Sequence, residues 1–434
     1  LDLCIWATQQ KDIHVRTVSI VDKDYDWEGT RKEVAGLLSS GLNDGDNEIP
    51  FNYRGSVWKL LEMLSADQQP TIGYEEEYLK DYNDLGLLSI NTVRGEAMHS
   101  VVRYALWVHR HTTGIVSENK QGFEKMPEVQ KVLEEHLDLK KELTLSIRSI
   151  YGKWLPWLVL LDEEWLVKNL ALILPADSDK SNIYLVTWET YILYCQSYDN
   201  VFEILHKEYK KAVERIKEIK IEKRSITDPE MRLAEHLATL YWRGILDREE
   251  YNNLLPLFFE NADDELAGHF IEFIGRGLYN SKQDIKADVI IRMKKLWDER
   301  SIVINSYSTR AKHEKELSAF SWWFSSSKFN KNWLIEKLYN VLESISSLDS
   351  LQLRLIIENL ECYSIEMPKR TIECLTFIAE MDTNGWGVRS NRKEIRKILE
   401  KVLSNPNDNG KAAAVALIHK FGSMGNLEFR DLLY

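Results

Sequence analysis

Residues 89–111 read SINTVRGEAMHSVVRYALWVHRH, and this stretch decides the fold. Val93, Ala97, Val101, Tyr104, Ala105 and Val108 recur at helical spacing and form one apolar side. Asn91 stands where a helix cap belongs. Gly95 inside the run costs about 1 kcal/mol relative to Ala. Together with Ala97 it predicts a site where another helix approaches closely. Arg94 is expected to make an internal contact of this helix rather than a chemical one.

The same periodicity recurs along the chain. Ile395, Ile398, Leu399, Val402 and Leu403 follow an i, i+3, i+4, i+7, i+8 stripe, with Asn391 and Glu394 placed as a capping box. Residues 351–360, 371–381 and 333–342 read as further helices. Residues 411–420 read as an Ala-rich last helix, ending near Gly422. Short spacers separate them: Pro175–Ser181, Thr227–Pro229, Asn261–Asp264, Asp382–Val388 and Ser404–Gly410. Only 20 Gly and 9 Pro serve 434 residues, fewer than a sheet-rich fold would need for its turns. The expected fold is all-α: a HEAT/TPR-like helical-repeat superhelix, or α-solenoid, whose repeats are degenerate and show no fixed length. A short strand at Val18–Ile20 is the one exception expected. The Pro175–Ser181 turn divides the chain into an N-terminal helical region, 1–180, with some irregular structure, and a C-terminal helical-repeat region, 181–434.

The net charge of −12 argues against a surface devoted to nucleic acid. The basic stretch 206–224 mixes Lys and Arg with Glu, as an exposed helix face does. Four dispersed cysteines without a CxxC pair read as reduced thiols of a cytoplasmic protein. The apolar run Trp154–Leu161 is too short to span a bilayer. The chain begins at Leu1 inside patterned sequence, so it is expected to be part of a larger protein.

Motifs for chemistry fall short. Gly410-Lys411 lacks the other glycine and the Ser/Thr of a phosphate loop. His109 and His111 are two apart and diverge on a helix. His136 has no second His at metal-ligand spacing. Gly422-Ser423-Met424-Gly425 lacks the spacing of a nucleophile elbow. Asp162-Glu163-Glu164 and Asp263–Glu265 read as helix starts. The expectation is therefore a non-enzymatic chain with no catalytic, metal or cofactor residues. Tryptophan is abundant, with 14 residues. Trp322 and Trp323, between Phe320 and Phe324, together with Trp386, are the candidate protein-binding residues, since Trp favours interface hot spots.

The wording of Ser89–Ala97 and Tyr104–Trp107 resembles the C-terminal region of bacterial antiviral STAND NTPases of the Avs type. So do residues 57–64, Gln69-Pro70, residues 384–388 and the closing residues 412–433. That resemblance implies a C-terminal helical sensor that binds a phage protein, such as the portal or the large terminase subunit. Binding would trigger oligomerisation and effector activation in the parent protein. ATP and Mg would belong to a parent ATPase domain outside this chain, and self-association would run through the parent. Two alternatives stay open: a general α-helical repeat scaffold for protein assembly, and a nucleic-acid-binding helical repeat using residues 206–224.

Overall fold

The computed structural model describes residues 1–10, 27–82, 84–113, 122–176, 181–217, 228–306, 310–382, 385–406 and 409–434. Among these residues every regular element is helical, with no strand. The expected strand at Val18–Ile20 lies outside the described residues, as does most of the Pro175–Ser181 turn. No helix among the described residues is long and apolar enough to cross a membrane.

The chain forms two compact units, residues 1–205 with 221–229 and residues 206–220 with 230–434. The first unit contains α1 (Asp2–Thr8), α2 (Trp27–Gly41), α3 (Arg54–Ser65), α4 (Ile72–Asp81) and α5 (Leu85–Ile90). It continues with α6 (Val93–Thr112), α7 (Pro127–Leu137), α8 (Leu145–Leu161), α9 (Glu163–Ile173) and α10 (Ser181–Tyr194). The division falls within α11 (Asp199–Arg215), downstream of the Pro175–Ser181 turn.

The opening stretch is the hub of this unit. α6 packs on α2, α3, α5, α7 and α8. All six residues of its expected stripe are buried, and Met98, His99, Ser100, Val102 and Trp107 are buried as well. A helix covered on nearly every side is a core helix rather than a half-exposed one. The expected cap at Asn91 is not found. Asn91 closes α5, its side-chain amide donating to the Leu87 carbonyl, while Thr92 occupies the N-cap of α6. The segment is thus two helices joined by a tight corner. The close approach expected at Gly95 is made by the end of α5: a Cβ there would collide with the Ser89 carbonyl oxygen.

The second unit contains α12 (Pro229–Trp242), α13 (Leu254–Asn261), α14 (Asp264–Asn280), α15 (Ala287–Ser306), α16 (Glu314–Ser318) and α17 (Phe320–Ser326). It ends with α18 (Lys331–Leu342), α19 (Ser350–Leu360), α20 (Pro368–Met381), α21 (Trp386–Ser390), α22 (Arg392–Leu403) and α23 (Lys411–Ser423). Packing here follows two parallel series. α14 packs on α17, α17 on α19, and α19 on α22; α16 packs on α18, α18 on α20, and α20 on α23. Cross-contacts α17–α18, α19–α20 and α22–α23 join the series. Apolar stripes explain the order: Leu353, Ile356, Ile357 and Leu360 of α19, and Ile395, Ile398, Leu399 and Val402 of α22, are all buried.

Two acidic helix starts follow the sequence signals. Asp162 and Asp263 accept the backbone N–H groups of Trp165 and Leu266, both at 2.9 Å. Gly410, at φ 114°, turns the chain into α23. Asn391 departs from expectation. It holds the N-cap position of α22 without capping it, because its side-chain amide donates back to the Gly387 carbonyl at 2.8 Å.

Candidate protein-recognition surface

The adjacent tryptophans divide between core and surface because consecutive helix residues point about 100° apart. Trp323 is fully buried, and its indole N–H donates to the Ile271 carbonyl at 2.9 Å. Its ring stacks against Phe329 at 5.8 Å and lies 5.8 Å from Trp297. Gly275 of α14 seats the pair: a Cβ there would stand 2.7 Å from Trp322 Cβ and from Trp323 Cδ1. Gly268, one heptad earlier, gives the same closeness to the backbone at Lys315 and Glu316.

Trp322 turns outward and is half-buried. The Arg276 guanidinium lies over its ring at 4.9 Å, and Tyr279 meets it edge-on at 5.5 Å. Glu272 holds Arg276 from the preceding turn at 2.5 Å. Tyr279 and Phe273 are exposed, and Trp242 lies beside Gly277, where a Cβ would be 3.5 Å from the ring. A Trp and Tyr with a guanidinium stacked between solvent and ring is the composition that dominates protein interfaces. Of the candidate tryptophans, then, Trp322 belongs to an aromatic surface and Trp323 to the core. Trp386 stands on a different element, α21, with 71% of its surface exposed. Sequence reasoning missed Arg276, Tyr279 and Phe273, although their i, i+3 spacing on an amphipathic α14 was readable.

Two buried polar clusters in the first unit hold helices together. Ser89 and His99 form a hydrogen-bonded pair at 2.8 Å, yet both side chains are buried. Trp154 donates its indole N–H to His99 Nδ1 at 2.7 Å, so Nε2 carries the proton and donates to Ser89. The Ser89 hydroxyl in turn donates to the Gly86 carbonyl at 2.6 Å. This relay ties α5, α6 and α8. Burial, reinforced by Lys153 and Arg103, holds the His99 pKa well below the ordinary 6.5.

A second buried cluster anchors the start of α8. Arg94 donates to the carbonyls of Asp67 and Pro70, both at 2.6 Å, and its guanidinium lies 3.1 Å from Glu142. The expected internal contact of Arg94 therefore clamps the Gln69-Pro70 turn to the signature helix. Glu142 also meets His136 at 2.8 Å. Burial would raise the Glu142 carboxyl, but His136 and Arg94 outweigh it and hold the group below its usual range. Glu75 of α4 accepts the backbone N–H groups of Leu145 and Ser146 at 2.8 and 2.7 Å, acting as a cap supplied from another helix. Among the described residues no group of three or more His, Cys, Asp or Glu could hold a metal ion, and the four cysteines are free thiols. On α11, Lys211 pairs with Glu208 at 2.9 Å and Lys210 with Glu214 at 3.9 Å; residues 218–224 of the basic stretch lie outside the described residues.

Comparison of the chain with protein-family profiles, curated proteins and solved structures finds no match.

Proposed function

We propose that this chain is a non-catalytic protein-recognition module built as a degenerate helical repeat, the sensor part of an antiviral STAND ATPase. The single observation that carries recognition is the surface formed by Trp322, Arg276 and Tyr279 on α14 and α17. The two stepwise packing series of the second unit support the helical-repeat reading, since in such arrays each element contacts mainly its neighbours. The choice of a phage protein, with the portal or large terminase subunit first, rests on the resemblance in residues 57–107 and 384–433. On this reading the chain works in the cytoplasm, and ATP and Mg serve the parent ATPase rather than these residues. Ligand engagement would release self-association of the parent.

Co-expression of the chain with tagged portal and terminase proteins, followed by affinity capture, tests the proposal. The expected result is retention of one of them. Trp322→Ala should weaken capture about tenfold or more, as an interface hot spot does. Failure of a folded chain to retain any protein from a broad phage panel would overturn it.

A further inference from the structure

A second surface, chemically unlike the first, lies at α21 and the start of α22. Arg389, Arg392 and Lys393 are exposed, and Trp386 stands beside them in sequence, also exposed. Among the described residues the side chains of these three cations make no ion pair or hydrogen bond. Their neighbours are neutralised in place: Arg396 pairs with Asp431 at 2.9 Å, and Lys401 with Glu361 at 2.8 Å. Lys397 also feels Glu361. Three unpaired cations in five residues stand out on a chain of net charge −12.

The fold does not call for them. Arg392 and Lys393 occupy the first turn of α22, where the helix dipole favours anions and disfavours cations by roughly 0.3–1 kcal/mol each. The Asn391 side chain, turned back to Gly387, does nothing to offset this, and Glu394 is the one acidic residue of that turn. Exposed and without a partner in the chain, these cations are available to an acidic group outside it.

We infer that α21 and the first turn of α22 form a docking surface for a short acidic protein segment. Its carboxylates would engage Arg389, Arg392 and Lys393, and an apolar residue among them would lie on Trp386. Arginine takes carboxylates in a bidentate fork, which gives the contact direction as well as charge. Nucleic acid fits less well. A phosphate backbone needs a continuous cationic track, and here the adjoining cations already carry Glu361 and Asp431. The inference is independent of the Trp322 surface and of any phage ligand.

The test uses the full chain and fluorescein-labelled peptides read by anisotropy: a Glu/Asp-rich peptide with one central Phe, its Phe-free analogue, and an oligo-dT strand of similar length. The Phe-bearing acidic peptide is expected to bind, more weakly as salt rises. The triple reversal R389E/R392E/K393E, all at exposed positions, should weaken binding by about tenfold or more, the loss of about 1.4 kcal/mol. Trp386→Ala should weaken the Phe-bearing peptide and leave the analogue unchanged. Trp322→Ala should bind both peptides as the parent chain does, which separates this surface from the other. Absence of acidic-peptide binding, indifference to the triple reversal in a chain of unchanged circular dichroism, or tighter binding of oligo-dT than of the peptide would each overturn the inference.

Discussion

An indole nitrogen can only donate, so the Trp154–His99 bond leaves the His99 imidazole one tautomer and no room for a second proton. Protonating Nδ1 would set two donors against each other inside a buried site, close to Lys153 and Arg103. The folded pKa lies below the unfolded value of about 6.5, so the unfolded chain binds the extra proton first. The stability His99 contributes is complete above that value and is lost as pH falls from it towards the folded pKa. Urea unfolding should show stability dropping below pH 6.5 by up to about 1.4 kcal/mol per pH unit from this group. His99→Gln should cost about 1–3 kcal/mol at neutral pH, through unsatisfied partners at Trp154 and Ser89, and should flatten that slope. An unchanged slope in the variant would remove His99 as its source. Nothing in the sequence marked this residue, because the relay joins positions 89, 99 and 154 through tertiary packing alone.

At the scale of elements, glycines separate two kinds of helix position. Gly95 and Gly152 are places of contact: a Cβ on them would strike the carbonyl oxygens of Ser89 and Thr187. Gly36, within α2, has nothing within 4 Å of its would-be Cβ. Gly95→Ala and Gly152→Ala should therefore each destabilise by about 1–3 kcal/mol or more, since backbone must move. Gly36→Ala should stabilise by roughly 0.5–1 kcal/mol, the helix-propensity difference. Thermal unfolding of the three variants checks the signs, and destabilisation by Gly36→Ala would contradict the open space described there. The contrast also shows what the sequence could and could not disclose. Helices and their buried stripes were legible because period 3.6 repeats locally, as in α6, α19 and α22. The corner between α5 and α6 was not, since Asn91 and Thr92 are both capable caps and only packing puts Thr92 at the N-cap position, where its hydroxyl donates back to the Ser89 carbonyl instead of capping. The division of Trp322 from Trp323 was half legible: helical spacing separates the two rings, but which one turns inward depends on Gly275, far away in sequence.

For the molecule as a whole, the decisive property is how far a perturbation travels. The series α14–α17–α19–α22 and α16–α18–α20–α23 bring each helix against its predecessor and successor, the packing order that the proposed helical repeat calls for. A repeat in the energetic sense also requires that damage stay near its origin, because stability is then a sum of local and nearest-neighbour contributions. Ile398 is a suitable probe. It is fully buried in α22, near the end of one series, and truncation to Ala should cost about 2–4 kcal/mol. Hydrogen exchange should then quicken in α22, α23 and the faces of α19 and α20 that cover them, while α14 and α16 keep their protection. A uniform loss of protection across the second unit would instead describe one cooperative core, and the helical-repeat reading would fail on energetics even though the packing order stands. The same experiment bears on recognition. If damage at Ile398 stays local, Trp322 on α17 remains in place while the surface at Trp386 loosens, so the two proposed docking surfaces should lose their ligands independently.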